Sequence, residues 1–241
     1  MRTKEEFELV TELKQEGKNN SEISRITKIP RGTVKDWINN PPKHFVDKLN
    51  KESIKDALIY NKDMHSTYSY LLGLYLGDGY INKCERTFRM RIALDKKYGA
   101  LNEYAKSRMQ ELFKENKIGI VNYKNHINIS VYNSQITELF PQHGKGVKHS
   151  RDVSLKKWQK ELVVPKELLR GLFHSDGCYY FSRGYDFYKF DNKSNDLLEL
   201  FKKCCDELDI EYTYGEDIVR IYKRNSVNKL KNIIGDKNEI K

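Results

Sequence analysis

Two aspartates stand at matching positions in a phrase that the sequence contains twice. Residues 71–79 read LLGLYLGDG and residues 169–177 read LRGLFHSDG, so that Leu, Gly, Leu, a small residue, Asp and Gly recur in one register. Asp78 and Asp176 are 98 positions apart, about the length of a small structural unit, which indicates an internal duplication. The chain therefore carries two equivalent carboxylates.

Each aspartate is predicted to end an apolar helix. Ser66 or Thr67 can cap the start of the first helix, and Asp-Gly is typical of an abrupt helix end at which the glycine adopts the left-handed conformation. The helix dipole disfavours an anion at that end by about 0.3 to 1 kcal/mol. Two carboxylates placed there at equivalent positions indicate a cation between them.

The chemistry of such a pair suits phosphodiester hydrolysis. A hard divalent cation, held by carboxylate and carbonyl oxygens, makes a water nucleophilic and stabilises an oxyanion leaving group. The predicted ligands of Mg²⁺ (or Mn²⁺) are the side chains of Asp78 and Asp176 and the helix-end carbonyls of Gly77 and Ser175.

Small residues four apart mark one face of each predicted helix. They are Gly73 and Gly77 in the first copy, and Gly171 and Ser175 in the second. Small residues at this spacing let two helix backbones approach closely. We therefore expect two helices packed face to face, with their terminal carboxylates converging.

The duplicated phrase resembles the signature of single-chain LAGLIDADG homing endonucleases, over roughly residues 66 to 235. The resemblance implies an α+β fold in which two αββαββα units form a pseudo-two-fold saddle of antiparallel sheet. It also implies that each aspartate serves the cleavage of one DNA strand across the minor groove, leaving short 3′ overhangs. The family has an acidic residue two places before each catalytic one, where this chain has Leu76 and His174.

Alternating apolar residues after each Asp-Gly predict the strands of the two repeats, which we place at residues 66–140 and 166–241. One face of each strand would pack on helices, and the other would be free to lie along a DNA groove. The residues predicted on or near that free face are Arg89, Arg91, Asn128, Ser130, Tyr188 and Arg220.

A basic residue just after the last strand of a repeat recurs in the resembled family, where it assists the attacking water or the developing phosphate charge. By that resemblance Lys223 is a candidate catalytic residue, whereas its counterpart Asn133 is uncharged, so the two half-sites would be unequal. Lys145 and Lys148, in the basic connector 141–165, are predicted to contact the DNA backbone.

Residues 1–40 form a separate pattern of three short helices, followed by a linker at 41–65. The second and third helices, around the turn Lys28-Ile29-Pro30, resemble a helix-turn-helix of the resolvase or sigma-factor type. In such modules the second helix enters the major groove, which makes Arg31, Thr33 and Lys35 the candidate base readers. The alternative is a three-helix interaction module that does not touch DNA.

Composition agrees with a nucleic-acid partner. The chain has 44 Lys and Arg against 34 Asp and Glu, a formal charge of +10. No apolar run approaches membrane-spanning length and the charged start is not a signal peptide, so we expect an intracellular protein, not secreted, that is a monomer with internal symmetry. The four cysteines lack CxxC spacing, which argues against a structural zinc or a disulfide frame.

Three functions remain open from sequence. The leading one is a site-specific, Mg²⁺-dependent double-strand DNA endonuclease, encoded in a mobile element, with the helix-turn-helix as an auxiliary DNA-binding domain. The second is a DNA-binding transcriptional regulator that kept the saddle and lost cutting, which the residues at positions 76 and 174 fit. The third is an intron RNA maturase, which would share the basic saddle.

Overall fold

The computed structural model describes residues 2–42 and 53–237, and the chain divides into two compact units, Met1–Ser53 and Ile54–Lys241. The N-terminal unit contains three helices: α1 (Lys4–Gln15), α2 (Asn20–Thr27) and α3 (Arg31–Asn39). Thr3 and Asn19 cap α1 and α2 through capping boxes, and Lys28 turns the chain toward α3 with a φ of 58°. The core of this unit is small and apolar: Phe7, Val10, Leu13, Ile23, Ile29, Val34 and Trp37.

The C-terminal unit contains the two repeats, each in the predicted order of helix, two strands, helix, two strands, helix. The first, preceded by α4 (Ile54–Tyr60), comprises α5 (Asp63–Asp78), β1 (Gly79–Lys83), β2 (Phe88–Asp95), α6 (Gly99–Leu112), β3 (Gly119–Asn122), β4 (His126–Asn133) and α7 (Ile136–Leu139). A 3-10 turn at Lys148–Ser150 and α8 (Lys157–Leu162) follow. The second comprises α9 (Pro165–Asp176), β5 (Gly177–Ser182), β6 (Tyr185–Asp191), α10 (Asn195–Glu207), β7 (Thr213–Tyr214), β8 (Ile218–Ile221) and α11 (Arg224–Ile234).

The two antiparallel sheets have the same strand order, β1-β2-β4-β3 and β5-β6-β8-β7. Gly79 pairs with Ile92 and Ile92 with Ile129, while Gly177 pairs with Phe190 and Phe190 with Val219. Residues of β1 and β2 are therefore equivalent to the residues 98 positions later, in β5 and β6. Strand β4 corresponds to β8, as expected from the prediction that Asn133 is the counterpart of Lys223. The α+β fold with a duplicated unit is confirmed.

Helices α5 and α9 pack with almost no space between their backbones. A Cβ on Gly73 would lie 2.6 Å from the Leu168 carbonyl oxygen, and one on Gly171 would lie 2.2 Å from the Tyr70 carbonyl oxygen. Residues 67–76 of α5 are buried on every side, as expected for a helix at the centre of a fold. The small residues therefore act as predicted, by letting two helices touch along their backbones.

Two predictions about the ends of the central helices are wrong: the cap at Ser66 or Thr67, and the left-handed glycine after each aspartate. Helix α5 begins at Asp63, where the Asn61 side chain accepts a hydrogen bond from the Asp63 amide, and Thr67 lies within the helix with its hydroxyl donating to Glu111. Gly79 and Gly177 are extended, with φ of −88° and −81°, because each helix passes directly into a strand. These positions need glycine for space, since a Cβ on Gly79 would lie 2.5 Å from the Tyr75 Cα.

The expected linker at 41–65 is partly folded. Helix α4 lies within it, Leu58 is fully buried in the core of the C-terminal unit, and the Ile54 amide donates to the Gln135 side chain. Residues 43–52 of this predicted linker lie outside the described residues.

Candidate functional site

The structure brings Asp78 and Asp176 together at the ends of the two packed helices. Each is the last residue of its helix, and a Cβ on Gly77 would lie 2.4 Å from the Ser175 Cβ and 2.8 Å from Asp176 Oδ2. The Ser175 hydroxyl turns back into its own helix, where it donates to the Leu172 carbonyl. The small residues at 77 and 175 thus allow the two carboxylates to converge.

Burial and like charge make this pair unfavourable in its ionised form. The Asp78 side chain reaches solvent, yet the surrounding protein removes much of its hydration, and this loss together with repulsion from Asp176 raises its pKa to about 6. Burial also raises the pKa of Asp176, against the attraction of Lys148. The site thus holds negative charge that the protein itself leaves poorly compensated.

Lys148, predicted only as a contact to the DNA backbone, lies beside the carboxylates. Its ammonium group donates to the carbonyl oxygens of Tyr75 and Gly77, each at 2.6 Å, and so caps the C-terminus of α5. Burial lowers the pKa of Lys148 to about 8, although both aspartates favour its charged form. The connector thus folds back over the helix end, and the predicted contact of Lys148 with the DNA backbone stays a prediction.

Lys237 occupies the corresponding place on the second helix, and sequence reasoning missed it. Its ammonium group donates to the carbonyl oxygens of His174 and Gly177, each at 3.2 Å, and burial lowers its pKa. Both aspartates attract it electrostatically. Each helix end therefore has one carboxylate and one lysine, and each lysine comes from the chain segment that follows its own repeat.

The two carboxylates differ in one hydrogen bond. Asn192 donates through Nδ2 to Asp176 Oδ2 at 3.0 Å, which lowers the pKa of Asp176. The equivalent position of the first repeat is Leu94, which is buried in the core. Asn192 thus holds Asp176 in one orientation. The Leu94 side chain cannot donate a hydrogen bond to Asp78, so the two half-sites differ in structure.

A cavity of about 660 Å³ opens beside Asp176. Its walls combine the carboxylate with basic and amide groups: Lys148, His149, Asn192, Lys193 and Arg220. Asp191 and Asp217 line its outer part. A space of this size next to a carboxylate and a lysine can admit a phosphate group.

The two positions that depart from the family's acidic pattern lie inside the fold. Leu76 is fully buried, and His174 joins two helices by accepting a hydrogen bond from the Tyr70 hydroxyl at Nδ1 and donating from Nε2 to the Ile234 carbonyl. Burial lowers the pKa of His174 to about 3, so it is neutral. His174 thus ties α9 to α5 and α11.

Lys223 is not placed with the aspartates, contrary to its predicted catalytic role. It lies at the start of α11, where its side chain is exposed and forms an ion pair with Glu211 that raises its pKa. Val219 shares a row of the sheet with Gly177, so Lys223 lies four residues, roughly 13 Å, farther along the strand direction. Its counterpart Asn133 is buried and bonded to Asn116.

The other residues predicted to lie on the DNA-facing side of the sheets differ in how deeply they are buried. Arg89, Arg91, Asn128 and Arg220 alternate with core residues and lie on the face away from the core. Ser130 shares that face but is buried beneath Arg89, whose guanidinium donates to its hydroxyl at 3.3 Å. The placement of Tyr188 is wrong: it is 5% exposed and packs on Phe173, because the core-facing residues of β6 are Tyr188 and Phe190.

The three candidate base readers lie on the first turns of α3, in the N-terminal unit. Arg31 and Lys35 are exposed and Thr33 is half-buried, while Val34 between them faces the core. Lys145 is exposed in the connector. A role in DNA reading for any of the four stays a prediction.

Residues 164–238, which contain the second repeat, match the model of the LAGLIDADG-like domain family. This segment of the chain is therefore a LAGLIDADG-like domain. Among solved structures, one of mesophilic variants of the homing endonuclease I-DmoI is 19% identical, with a TM-score of 0.52 over 71% of this chain and 97% of that one. I-DmoI in complex with DNA and Mn is 18% identical, with a TM-score of 0.51 over 72% and 98%. A comparison with curated proteins finds no match.

The family match confirms the predicted family for the second repeat, and the solved structures confirm the fold that the duplicated phrase indicates. At this identity the I-DmoI matches establish the fold alone. In the described part of the chain, no helix is long and apolar enough to cross a membrane.

The free-energy cost of holding Asp78 ionised beside Asp176 can be measured as a loss of stability. Because the pKa of Asp78 is about 6 in the folded protein and 3.8 ordinarily, its ionised form destabilises the fold above pH 6, and this penalty disappears as pH falls toward 3.8. We expect Asp78→Asn to stabilise the metal-free protein at pH 7.5 by about 1 kcal/mol, since solvent access reduces the full effect. The melting temperature should rise by roughly 2 to 4 °C.

Melting curves in a chelator at pH 7.5 and pH 5 check this expectation. The gain should be smaller at pH 5, and Asp217→Asn, on the outer wall of the same cavity, should give none at either pH. An Asp78→Asn protein that melts lower than the parent at pH 7.5 would show that the carboxylate is not strained by its surroundings.

Proposed function

We propose that this protein is a site-specific, divalent-metal-dependent endonuclease that cuts both strands of duplex DNA. The observation that carries the proposal is the duplicated helix end, where Asp78 and Asp176 converge and a half-buried lysine, Lys148 or Lys237, caps each helix terminus. Two equivalent sets of groups suit the two strands of a duplex.

The residues fit a hard divalent cation such as Mg²⁺ or Mn²⁺. Two carboxylates with raised pKa values lie at the negative ends of two helix dipoles, whereas the Gly77 carbonyl, one of the predicted ligands, already accepts a hydrogen bond from Lys148. When bound, the metal would polarise a water and neutralise charge on the phosphate. The described residues contain no cluster of three or more His, Cys, Asp and Glu side chains, so Asp78 and Asp176 would be its main side-chain ligands.

The protein's own groups then bind and orient the phosphate. Lys148 and Lys237 hold positive charge beside the place where negative charge develops, and the low local dielectric strengthens that effect. Asn192 fixes the orientation of Asp176. In this scheme Lys223 has no part, and the catalytic lysines come from the segments after each repeat.

DNA binding is supported by charge and by surface. The formal charge is +10, and the sheet faces away from the core carry Arg89, Arg91 and Arg220. Structures of the similar protein I-DmoI contain DNA together with Mn. A non-cleaving DNA-binding regulator is the second candidate, and the small number of carboxylates at the site favours it.

Incubation of the purified protein with the DNA that flanks its own gene, with and without Mg²⁺, tests the proposal. Double-strand cuts at one position that require the metal support an endonuclease. Specific retention of a fragment without cutting in Mg²⁺ or Mn²⁺ would instead support the regulator. Equal binding to all fragments would contradict site-specific recognition in either form.

Lys148 should matter for the rate of cutting more than for binding. We expect Lys148→Met to slow cleavage by roughly 10²-fold, with DNA affinity within about threefold, because its charge acts on the reacting phosphate. Since its pKa is about 8, the parent should lose activity above pH 8 as the amine loses its proton, and Lys148→Arg should keep activity to higher pH. Lys145→Met, an exposed lysine of the same connector, is the matched control. Unchanged cutting by Lys148→Met would remove this lysine from the mechanism.

The N-terminal unit should add affinity without setting the cut. If α3 lies in a DNA groove, Arg31→Ala and Lys35→Ala in the full chain should each lower the slope of log affinity against log salt by up to about one unit. Lys14→Ala, exposed at the end of α1, should leave the slope unchanged. Binding across a salt series, beside a cleavage map of each variant, gives both readouts. Slopes that equal the parent's would indicate the interaction module that does not touch DNA.

A further inference from the structure

The free faces of the two sheets carry different chemistry at equivalent positions. In the first repeat Asn82 pairs across the strands with Arg89, and in the second the equivalent residues, Tyr180 and Phe187, form the pair. A polar and cationic row in one sheet is thus an aromatic row in the other. The strand register fixes this equivalence.

The aromatic pair belongs to the free face and not to the core. Tyr180 and Phe187 stack with ring centroids 5.1 Å apart and planes 9° from parallel, and both side chains stay half-exposed. Their neighbours on β6, Tyr188 and Phe190, are the residues that face the core. Tyr222, at the end of β8, adds a third ring that is 46% exposed. A contiguous apolar patch on a soluble protein marks a binding surface.

The charges beside this patch are positive. Lys189 and Arg220 pair across the strands in the next row, two residues from Phe187 and Tyr222 respectively. Lys189 has a carboxylate partner in Asp191 at 2.7 Å, and Arg220 lines the cavity beside Asp176. Such a patch is complementary to a partner surface that has apolar groups at its centre and anionic groups at its border.

The major groove of DNA presents such a surface where it contains thymine. The 5-methyl group of thymine is an apolar feature of the base edges there, and phosphates flank it on both sides. Arginine, by contrast, is the usual partner of guanine. In the first sheet Arg89 is held for such a contact by the Ser130 hydroxyl and by the ring of Tyr132, 5.3 Å away.

We propose that the second sheet recognises thymine methyl groups through Tyr180 and Phe187, whereas the first sheet reads its half-site with Arg89. The two halves of the target would then differ in composition, the half bound by the second repeat being rich in A·T pairs. The inference rests on the proposed function, because it names the DNA chemistry that one half of the same protein selects.

The test selects bound sequences from a library of random DNA duplexes with the full-length protein. A selected duplex is then rebuilt with deoxyuridine in place of thymine in one half at a time, which removes the methyl groups and keeps base pairing. We expect affinity to fall about fourfold for each contacted methyl in one half, and less than twofold in the other. Phe187→Ala should abolish this sensitivity and Phe187→Leu should retain it.

Phe181→Ala is the matched control, since Phe181 is the next residue on β5, 64% exposed, and alternation places it on the opposite face. It should bind both duplexes as the parent does. Equal sensitivity in both halves, or sensitivity that survives in a folded Phe187→Ala protein, would overturn the inference while site-specific binding stands. Enrichment of no sequence at all would overturn the proposed function and the inference with it.

Discussion

Asp78→Asn and Asp176→Asn are each expected to abolish double-strand cleavage while DNA binding survives. An amide keeps the shape of the side chain but no longer supplies the charge that a hard cation needs. We expect the rate to fall by on the order of 10³-fold or more. Because the carboxylates share one site through the contact of Gly77 with Ser175 and Asp176, loss of either should affect both strands.

Cleavage and binding must be measured on the same preparations, with nicked and linear products counted separately. Asp217→Asn is the control, since it removes a carboxylate from the same cavity without touching the helix ends. A variant at Asp78 or Asp176 that still produces linear DNA at the parent's rate would sink the catalytic assignment. A variant that no longer binds DNA would show that the pair serves recognition.

Gly73→Ala should destabilise the protein by more than about 3 kcal/mol, the upper end of the usual cost of overpacking, and Gly73→Leu should prevent folding. The added Cβ would lie 2.6 Å from both the Leu168 carbonyl oxygen and the Leu172 amide nitrogen, which are backbone atoms that can move only if the helices separate. For a chain of this size the melting temperature should fall by about 10 °C.

Gly99→Ala provides the contrast within the same unit. Gly99 is the first residue of α6, and its Cβ would meet no atom within 4 Å, so this change should be neutral or stabilise by up to about 1 kcal/mol. Thermal melts of both variants and the parent decide the matter. If Gly73→Ala melts with the parent, the two helices are not in backbone contact.

The sequence allowed the duplicated fold and the carboxylate pair to be predicted because both signals are local. The Asp-Gly phrase, the stripe of small residues and the alternation in β2 and β4 each lie within a short stretch of chain. The short edge strands β3 and β7 have no such alternation over enough residues to be located. In β6 aromatic residues occupy both faces, as Phe187 and Tyr188 show, so the pattern did not reveal which face is buried.

The sequence indicated Lys148 only as a contact to the DNA backbone and did not indicate Lys237, since the place of both lysines depends on the path of the chain after each repeat. Lys148 lies 70 residues beyond Asp78 and Lys237 lies 61 beyond Asp176, in segments without periodic pattern. Lys223 was favoured by the resemblance, and its position at the far end of β8 shows that alignment of strands alone does not identify the basic partner. The contact of Asn192 with Asp176 likewise depends on tertiary packing.

The origin of the two lysines defines what counts as one heritable half of this protein. A copy of the αββαββα repeat that stops at its last helix would have the carboxylate but not the lysine beside it. A copy that extends to Lys148, or to Lys237 in the second case, would carry a complete half-site together with the glycine face needed to join another. The unit that could be duplicated, exchanged between relatives or expressed as a self-associating half is therefore the repeat plus the segment that follows it.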